Sequence, residues 1–121
     1  MVVLDTNVII DFLEGKESVV SEVKKYPSSE MSMTLVNTYE LLKYGKREQL
    51  EEALENLATY SLNNASIKAS AGAYKRLKSK GAMMSDSDLL IFGICAANNE
   101  VLLTQDKAFE HLHDANIVVI D

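Results

Sequence analysis

Short apolar segments alternate with segments of helical periodicity along this chain of 121 residues. The apolar runs at 2–4, 31–34, 60–62, 101–103 and 117–120 have the length and composition of buried strands. Helical patterns separate most of them, and strands that alternate with helices are typical of a parallel sheet covered on both faces. The sequence therefore predicts a parallel α/β sandwich.

Capping residues, glycines and one proline divide the helical segments. Thr6 and Asn7 are expected to start the first helix and Gly15 to close it, whereas Asn64 is expected to cap a later helix. The helix from Ser85 to Asn98 is apolar on nearly all sides and is predicted to be central. The predicted helices cover 8–13, 18–26, 36–44, 47–58, 64–80, 85–98 and 109–113. The residues expected to face inward from 47–58 and 64–80 are Leu50, Ala53, Leu54, Leu57, Ile67, Ala71, Tyr74 and Leu77.

The length suits a single domain spanning 1–121, which would bury roughly two-thirds of its unfolded surface. Cys95 is the only cysteine, so no internal disulfide can form, and its apolar neighbours predict a buried, inert thiol. Asp5 interrupts the first apolar run, and no segment has the length of a membrane span. We expect a cytoplasmic protein with no membrane contact.

The net charge of −6 argues against binding to nucleic acid through bulk positive charge. Two local basic groups could still contact phosphate, although lysines near helix ends also have a structural role. These groups are Lys43, Lys46 and Arg47, and Lys75, Arg76, Lys78 and Lys80.

Four acidic residues lie where the chain leaves a predicted strand or enters a helix: Asp5, Glu40, Asp88 and Asp106. In an open α/β sheet, ligands bind outside the carboxyl ends of the strands, where acids from distant segments can meet. Carboxylates that meet repel one another, and a divalent cation relieves the repulsion. An all-oxygen set suits Mg²⁺ or Mn²⁺ better than zinc, and Mg²⁺ commonly joins carboxylates to phosphates. The pattern therefore indicates metal-assisted phosphate chemistry.

Helix capping is the alternative explanation for most of these acids. Asp5 and Asp106 suit N-cap positions, and Ser85 with Asp88 fits a capping box. Glu40 alone would be an ordinary solvated residue. Capping can explain most of these residues one at a time. It does not require acids from separate segments to lie at the same edge of the sheet. Their expected meeting at one edge therefore favours a metal-binding site.

Asp86 is a further candidate ligand, two residues before Asp88. Residues two apart on a helix lie about 200° apart around its axis, so both carboxylates cannot face one ion. Asp88 is expected on the buried side and Asp86 at the mouth of the site. His111 and His113 are also two apart, and we expect a surface or structural role for them.

Several motifs resemble the PIN domain and, within it, the VapC-type toxins of toxin–antitoxin pairs. They are Leu4-Asp5-Thr6-Asn7, Glu40 after the second strand, Asp86-Ser87-Asp88-Leu89-Leu90-Ile91, and Leu103-Thr104-Gln105-Asp106-Lys107-Ala108-Phe109. The resemblance covers essentially the whole chain. The Asp-x-x-Ile helix followed by Thr-x-Asp-x-x-Phe is its most specific part, and Ile91-Phe92-Gly93 departs from the small alanines common there.

The resemblance implies a three-layer sandwich with a central, mostly parallel five-stranded sheet flanked by helices. It also implies an endoribonuclease dependent on Mg²⁺ or Mn²⁺ that leaves a 5′-phosphate and a 3′-hydroxyl on its RNA products. Asp5, Glu40, Asp88 and Asp106 would be the acidic quartet that binds metal, supported by Thr6, Asn7 and Thr104. An antitoxin protein and a second copy of the chain would be its partners. Apolar residues at 19–23 and 50–57 also suggest a homodimer.

Two rival functions remain open at this stage. A phosphohydrolase of the haloacid dehalogenase type also has an aspartate after its first strand, but its usual second acid is replaced here by Asn7. A non-catalytic PIN-like binding subunit would be expected to lack one or more of the four acids, and all four are present.

Overall fold

A computed structural model describes all residues from 1 to 121. Its sheet has five strands in the order β3-β2-β1-β4-β5, and every neighbouring pair is parallel. The predicted parallel sheet is therefore confirmed. The strands are β1 (Val2–Leu4), β2 (Met31–Thr34), β3 (Ala58–Tyr60), β4 (Val101–Thr104) and β5 (Ile117–Val119).

Helices cover both faces of this sheet, and none of them is both long and apolar enough to cross a membrane. Side chains alternate between two apolar clusters along the strands: Val2 and Leu4 of β1 join one, and Val3 joins the other. The predicted three layers are thus confirmed. The helices are α1 (Thr6–Leu13), α2 (Glu17–Val23), α3 (Leu35–Tyr44), α4 (Arg47–Asn56), α5 (Asn64–Ser79) and α6 (Asp86–Ala97), with 3-10 turns at Ser28–Glu30 and Lys107–Leu112.

The largest differences from the predicted bounds are in β3 and α2. β3 covers Ala58–Tyr60, not 60–62, because Leu57 leaves α4 in an extended conformation and the strand pairs at once with β2. α2 ends at Val23 and not at Tyr26. Pro27 disfavours a helical conformation for Tyr26, the residue before it, and residues 24–26 form a turn.

Leu77 of α5 is buried as predicted, but the rest of the predicted buried face is not. Ile67 and Tyr74 are 45% and 42% exposed and Ala71 is exposed too, whereas Ser66, Ser70 and Ala73 are buried. The serines tolerate burial because their hydroxyls bond within the same helical segment, Ser66 to the Asn63 carbonyl at 2.9 Å and Ser70 to the Ser66 carbonyl at 3.0 Å. A face of small side chains lets α6 approach closely. Leu54 of α4, also expected inside, is exposed.

Gly93 of α6 lies directly against α5, where there is no room for a side chain. A Cβ built there would meet the Ser70 hydroxyl and the Ser66 carbonyl far inside contact distance. The same α6 segment buries Cys95, as predicted, and burial raises the pKa of that thiol.

Gly93→Ala should destabilise the protein by about 1–3 kcal/mol, the usual cost of overpacking. Gly72→Ala is the matched control, because its Cβ would meet only the end of the Arg76 side chain, at 3.7 Å. Replacing glycine in a helix interior should stabilise that variant by about 0.5–1 kcal/mol. Urea unfolding of both variants measures the difference, and equal free energies of unfolding would contradict the packing.

Candidate active site

The acidic residues gather where the order of the sheet reverses. The chain passes from β1 to β2 on one side, and β4 later lies on the other side of β1. Asp5 follows β1 directly, and its N–H donates to the Leu103 carbonyl of β4 at 2.9 Å. This is the position where open α/β sheets bind ligands.

Asp5 is the most enclosed of the acids, with 8% of its surface exposed. Its Oδ2 accepts the Thr104 hydroxyl at 2.7 Å, and its Oδ1 accepts the Thr6 N–H at 2.9 Å and the Asn37 Nδ2 at 3.2 Å. Burial raises the pKa of Asp5, hydrogen bonds from Thr104 and Thr6 oppose the rise, and the charges of Glu40 and Asp106 add to it. The fold therefore holds a carboxylate where a negative charge is costly.

Glu40 lies on α3 and is joined to Asp5 through Thr6. The Thr6 hydroxyl donates to Glu40 Oε1 at 2.6 Å and accepts from Asn37 Nδ2 at 3.0 Å. Thr6 is itself buried. A predicted supporting residue thus connects two of the four acids.

Asp88 and Asp106 lie at the start of α6 and just after β4. The Asp88 N–H donates to the hydroxyl of Ser85, the N-cap residue, at 3.2 Å, and the Asp106 N–H donates to the Thr104 hydroxyl at 3.0 Å. Burial first, and then the charges of Asp106 and Asp5, raise the pKa of Asp88 to about 7. These three aspartates are therefore within electrostatic reach of one another.

Two other predicted residues lie outside this group. Asp86 is exposed and borders a surface depression with Ile67 and Tyr74 of α5. The side chain of Asn7 is exposed, and only its backbone carbonyl bonds, accepting from Gln105 at 3.3 Å. Asn7 therefore contributes no side chain to the hydrogen-bonded network.

Asn37 and Gln105 were missed by the sequence prediction. Thr34 and Asn37 form a capping box, a pattern that could have identified Asn37 as the third residue of α3. Gln105, between Thr104 and Asp106, donates to Asp11 at 2.8 Å and accepts from Lys16 at 3.0 Å. It ties the loop after β4 to the end of α1.

The donor set suits a hard divalent cation, because carboxylate oxygens dominate it and neither histidine nor cysteine takes part. Burial first, and then the negative charges of Asp106 and Asp5, raise the pKa of Asp88, and a bound cation would favour its charged form. No three acidic side chains already converge on one point at metal-ligand distances. Mg²⁺ keeps several waters and needs only one or two carboxylates, so the residues fit a hydrated ion.

The sequence matches the PIN domain over residues 2–115. This chain belongs to the PIN-domain family. Ribonuclease VapC3 of Methanocaldococcus jannaschii is 27% identical over 92 residues, which are 76% of this chain and 95% of that protein.

Solved structures confirm the PIN-like fold. The structure of VapBC-1 from nontypeable Haemophilus influenzae superposes with a TM-score of 0.81 at 22% identity, covering 98% of each chain. The DNA-bound VapBC structure from Salmonella typhimurium gives a TM-score of 0.81 at 20% identity, covering 98% of this chain and 96% of that one.

Asp88→Asn should change the pH dependence of stability in the metal-free protein. A carboxyl whose pKa is about 7 when folded stabilises the fold at low pH, and this contribution is lost as the pH rises through 7. The variant should therefore gain on the order of 1–2 kcal/mol over the wild type between pH 5 and pH 8.

Urea unfolding at both pH values in chelator measures this gain. Asp86→Asn is the control, because Asp86 is exposed in the same helical turn, and its offset from the wild type should be the same at both pH values. A constant offset for Asp88→Asn as well would show that folding does not raise the pKa of Asp88.

Proposed function

We propose that this protein is a divalent-metal-dependent endoribonuclease that hydrolyses RNA phosphodiester bonds with Mg²⁺ or Mn²⁺. The observation that carries the proposal is the group of acids from four segments, Asp5, Glu40, Asp88 and Asp106, at one sheet edge. Family membership supports it, because PIN-domain ribonucleases are generally dependent on divalent metal.

Each group of residues in the acidic site would have its own role in the proposed reaction. Asp88, Asp106 and Asp5 would hold the cation and Glu40 would complete the acidic site, while Thr104 and Thr6 keep the carboxylates oriented through the bonds described above. A bound divalent ion supplies charge neutralisation and lowers the pKa of water. The serine bonded to these acids, Ser85, accepts the Asp88 N–H as the cap of α6, and no cysteine is bonded to them, which suits attack by water on phosphorus with departure of the 3′-oxygen.

We further propose that the protein is the toxin of a toxin–antitoxin pair and acts in the cytoplasm with an antitoxin partner. The support comes from its similarity to Ribonuclease VapC3 and to chains of the VapBC structures. A short reading frame for a DNA-binding protein directly upstream of the gene is the expected genomic arrangement. Its absence would favour an RNA-processing role.

A homodimer is also part of the proposal, but its expected surface needs correction. Val19 and Val23 are buried, and Leu50 and Leu57 pack against the core, so most of the apolar residues at 19–23 and 50–57 are already covered. Uncovered apolar side chains lie elsewhere. Tyr39 and Leu42 of α3 are 56% and 66% exposed, and Ile67 and Tyr74 of α5 are exposed too. We assign the contact with a second copy to these two helices.

The rival functions are less well supported. A binding subunit would not need all four acids, and a phosphohydrolase of the dehalogenase type would need an acid where Asn7 turns its side chain to solvent.

We expect the purified protein to cleave RNA with Mg²⁺ or Mn²⁺ and to stop when the metal is chelated. Asp88→Asn should lower the cleavage rate at least about 100-fold, as loss of a metal-binding carboxylate typically does, and Asp86→Asn should lower it much less. Both variants must be folded and free of contaminating nuclease. Cleavage that persists in excess chelator, or greater damage from Asp86→Asn, would contradict the assignment.

Light scattering should give a dimer mass at micromolar concentrations. Leu42→Glu places a charge on the proposed α3–α5 surface and should give a monomer. Leu54→Glu is the matched control, because Leu54 of α4 is 51% exposed but lies outside that surface. A monomeric wild type, or equal dissociation of both variants, would refute the surface.

A further inference from the structure

Asn37 is a fully buried amide that contacts two of the site's side chains. Its Nδ2 donates to Asp5 Oδ1 at 3.2 Å and to Thr6 Oγ at 3.0 Å. Its Oδ1 accepts the Thr34 N–H at 2.9 Å and the Thr34 hydroxyl at 2.8 Å. No other side chain forms hydrogen bonds with both the Asp5 carboxylate and the Thr6 hydroxyl, which in turn donates to Glu40.

The orientation of this amide follows from its partners. A backbone N–H can only donate, so the oxygen of Asn37 must face Thr34 and its NH₂ must face Asp5 and Thr6. The Thr6 hydroxyl accepts from Asn37, which leaves its own hydrogen for Glu40 Oε1 at 2.6 Å. The hydrogen bonds therefore run in one direction, from Asn37 through Thr6 to Glu40.

The same amide decides which carboxylate oxygens stay available. Asp5 Oδ1 accepts from both the Thr6 N–H and Asn37, whereas Asp5 Oδ2 accepts only from Thr104. A carboxylate oxygen has two lone pairs. Oδ2 of Asp5 thus keeps one lone pair without a donor, and Oε2 of Glu40 accepts no hydrogen bond within the protein.

We propose that Asn37 is a positioning residue for the acidic site: it fixes Asp5 and Glu40 together, so that Asp5 Oδ2 and Glu40 Oε2 remain for the divalent cation and its waters. This inference rests on the proposed function, since it assumes a cation at the acids. Asn37 acts through its two neighbours and has no direct role in the reaction.

Serine is the informative replacement, because it separates the two functions of Asn37. In α5, Ser66 occupies the same position of a capping box, and its hydroxyl accepts the Asn63 N–H at 2.9 Å. A serine at 37 can therefore still cap α3, but it is too short to reach Asp5 and Thr6. The helix should form while the positioning bonds are lost.

The experiment is calorimetric titration of the full-length protein with Mn²⁺ alone. Asn37→Ser should raise the Mn²⁺ dissociation constant about 10–100-fold, the usual effect of removing a residue that orients a metal ligand. Ser32→Ala is the control, because it removes an equally buried bond, from the Ser32 hydroxyl to the Val2 carbonyl at 2.7 Å, away from the acids. That variant should be less stable and bind Mn²⁺ as the wild type does.

Thr6→Val tests the same chain of bonds if Asn37→Ser folds poorly, since it removes the hydroxyl and keeps the shape. The two substitutions together should weaken Mn²⁺ binding by less than the product of their single effects, because both interrupt one pathway. Wild-type affinity in Asn37→Ser, with binding lost in Asp88→Asn, would overturn the role of Asn37 alone. If the wild type binds no Mn²⁺, or Asp88→Asn binds it equally well, the proposed metal site fails as well.

Discussion

The buried carboxylate of Asp5 is the feature on which the arrangement of this molecule depends. Burying a charge is costly unless hydrogen bonds replace the lost water. Asp5 obtains them from three segments: the start of α1, the end of β4 through Thr104, and the first turn of α3 through Asn37. A shift of any one segment would remove one of these three donors from the buried charge, so the carboxylate favours the arrangement in which the three segments meet.

The remaining acids are held close to Asp5 by backbone that cannot easily move away. Asp88 lies in the first turn of α6, which packs against α5 at Gly93, and the Asp106 N–H donates to the Thr104 hydroxyl. Burial of Asp88, together with repulsion from Asp106 and Asp5, therefore raises the pKa of Asp88 to about 7 in the folded protein. An ion that binds these acids only in the folded state must stabilise that state. Binding of the proposed cation would thus be linked to folding through the same side chains.

Local patterns predicted the order of the strands and helices and the positions of most of the acidic residues after strands. An apolar run followed by Asp5 indicates both β1 and the residue at its carboxyl end. The apolar run 101–103, followed by Thr104 and Asp106, indicates β4 and its carboxyl end in the same way. The exposed face of α5 could not be read this way, because it depends on Gly93 in a different helix. Asn7 was expected beside Thr6 in the site because the family resemblance implied it. Each residue of a helix turns about 100°, so Thr6 faces the acids and Asn7 faces solvent.

Capping and site chemistry looked like alternatives in the sequence, yet two of the four proposed site acids, Asp5 and Asp106, are also N-cap residues. Asp5, Ser85 and Asp106 are the N-cap residues of α1, α6 and the turn after β4, and Thr34 caps α3. In a parallel sheet, the segment after a strand starts at the carboxyl edge, where ligands also bind. Helix N-termini carry partial positive charge that favours nearby carboxylates. The topology therefore places the caps after β1, β2 and β4 at this edge, whereas Asp88 comes from α6, which follows another helix.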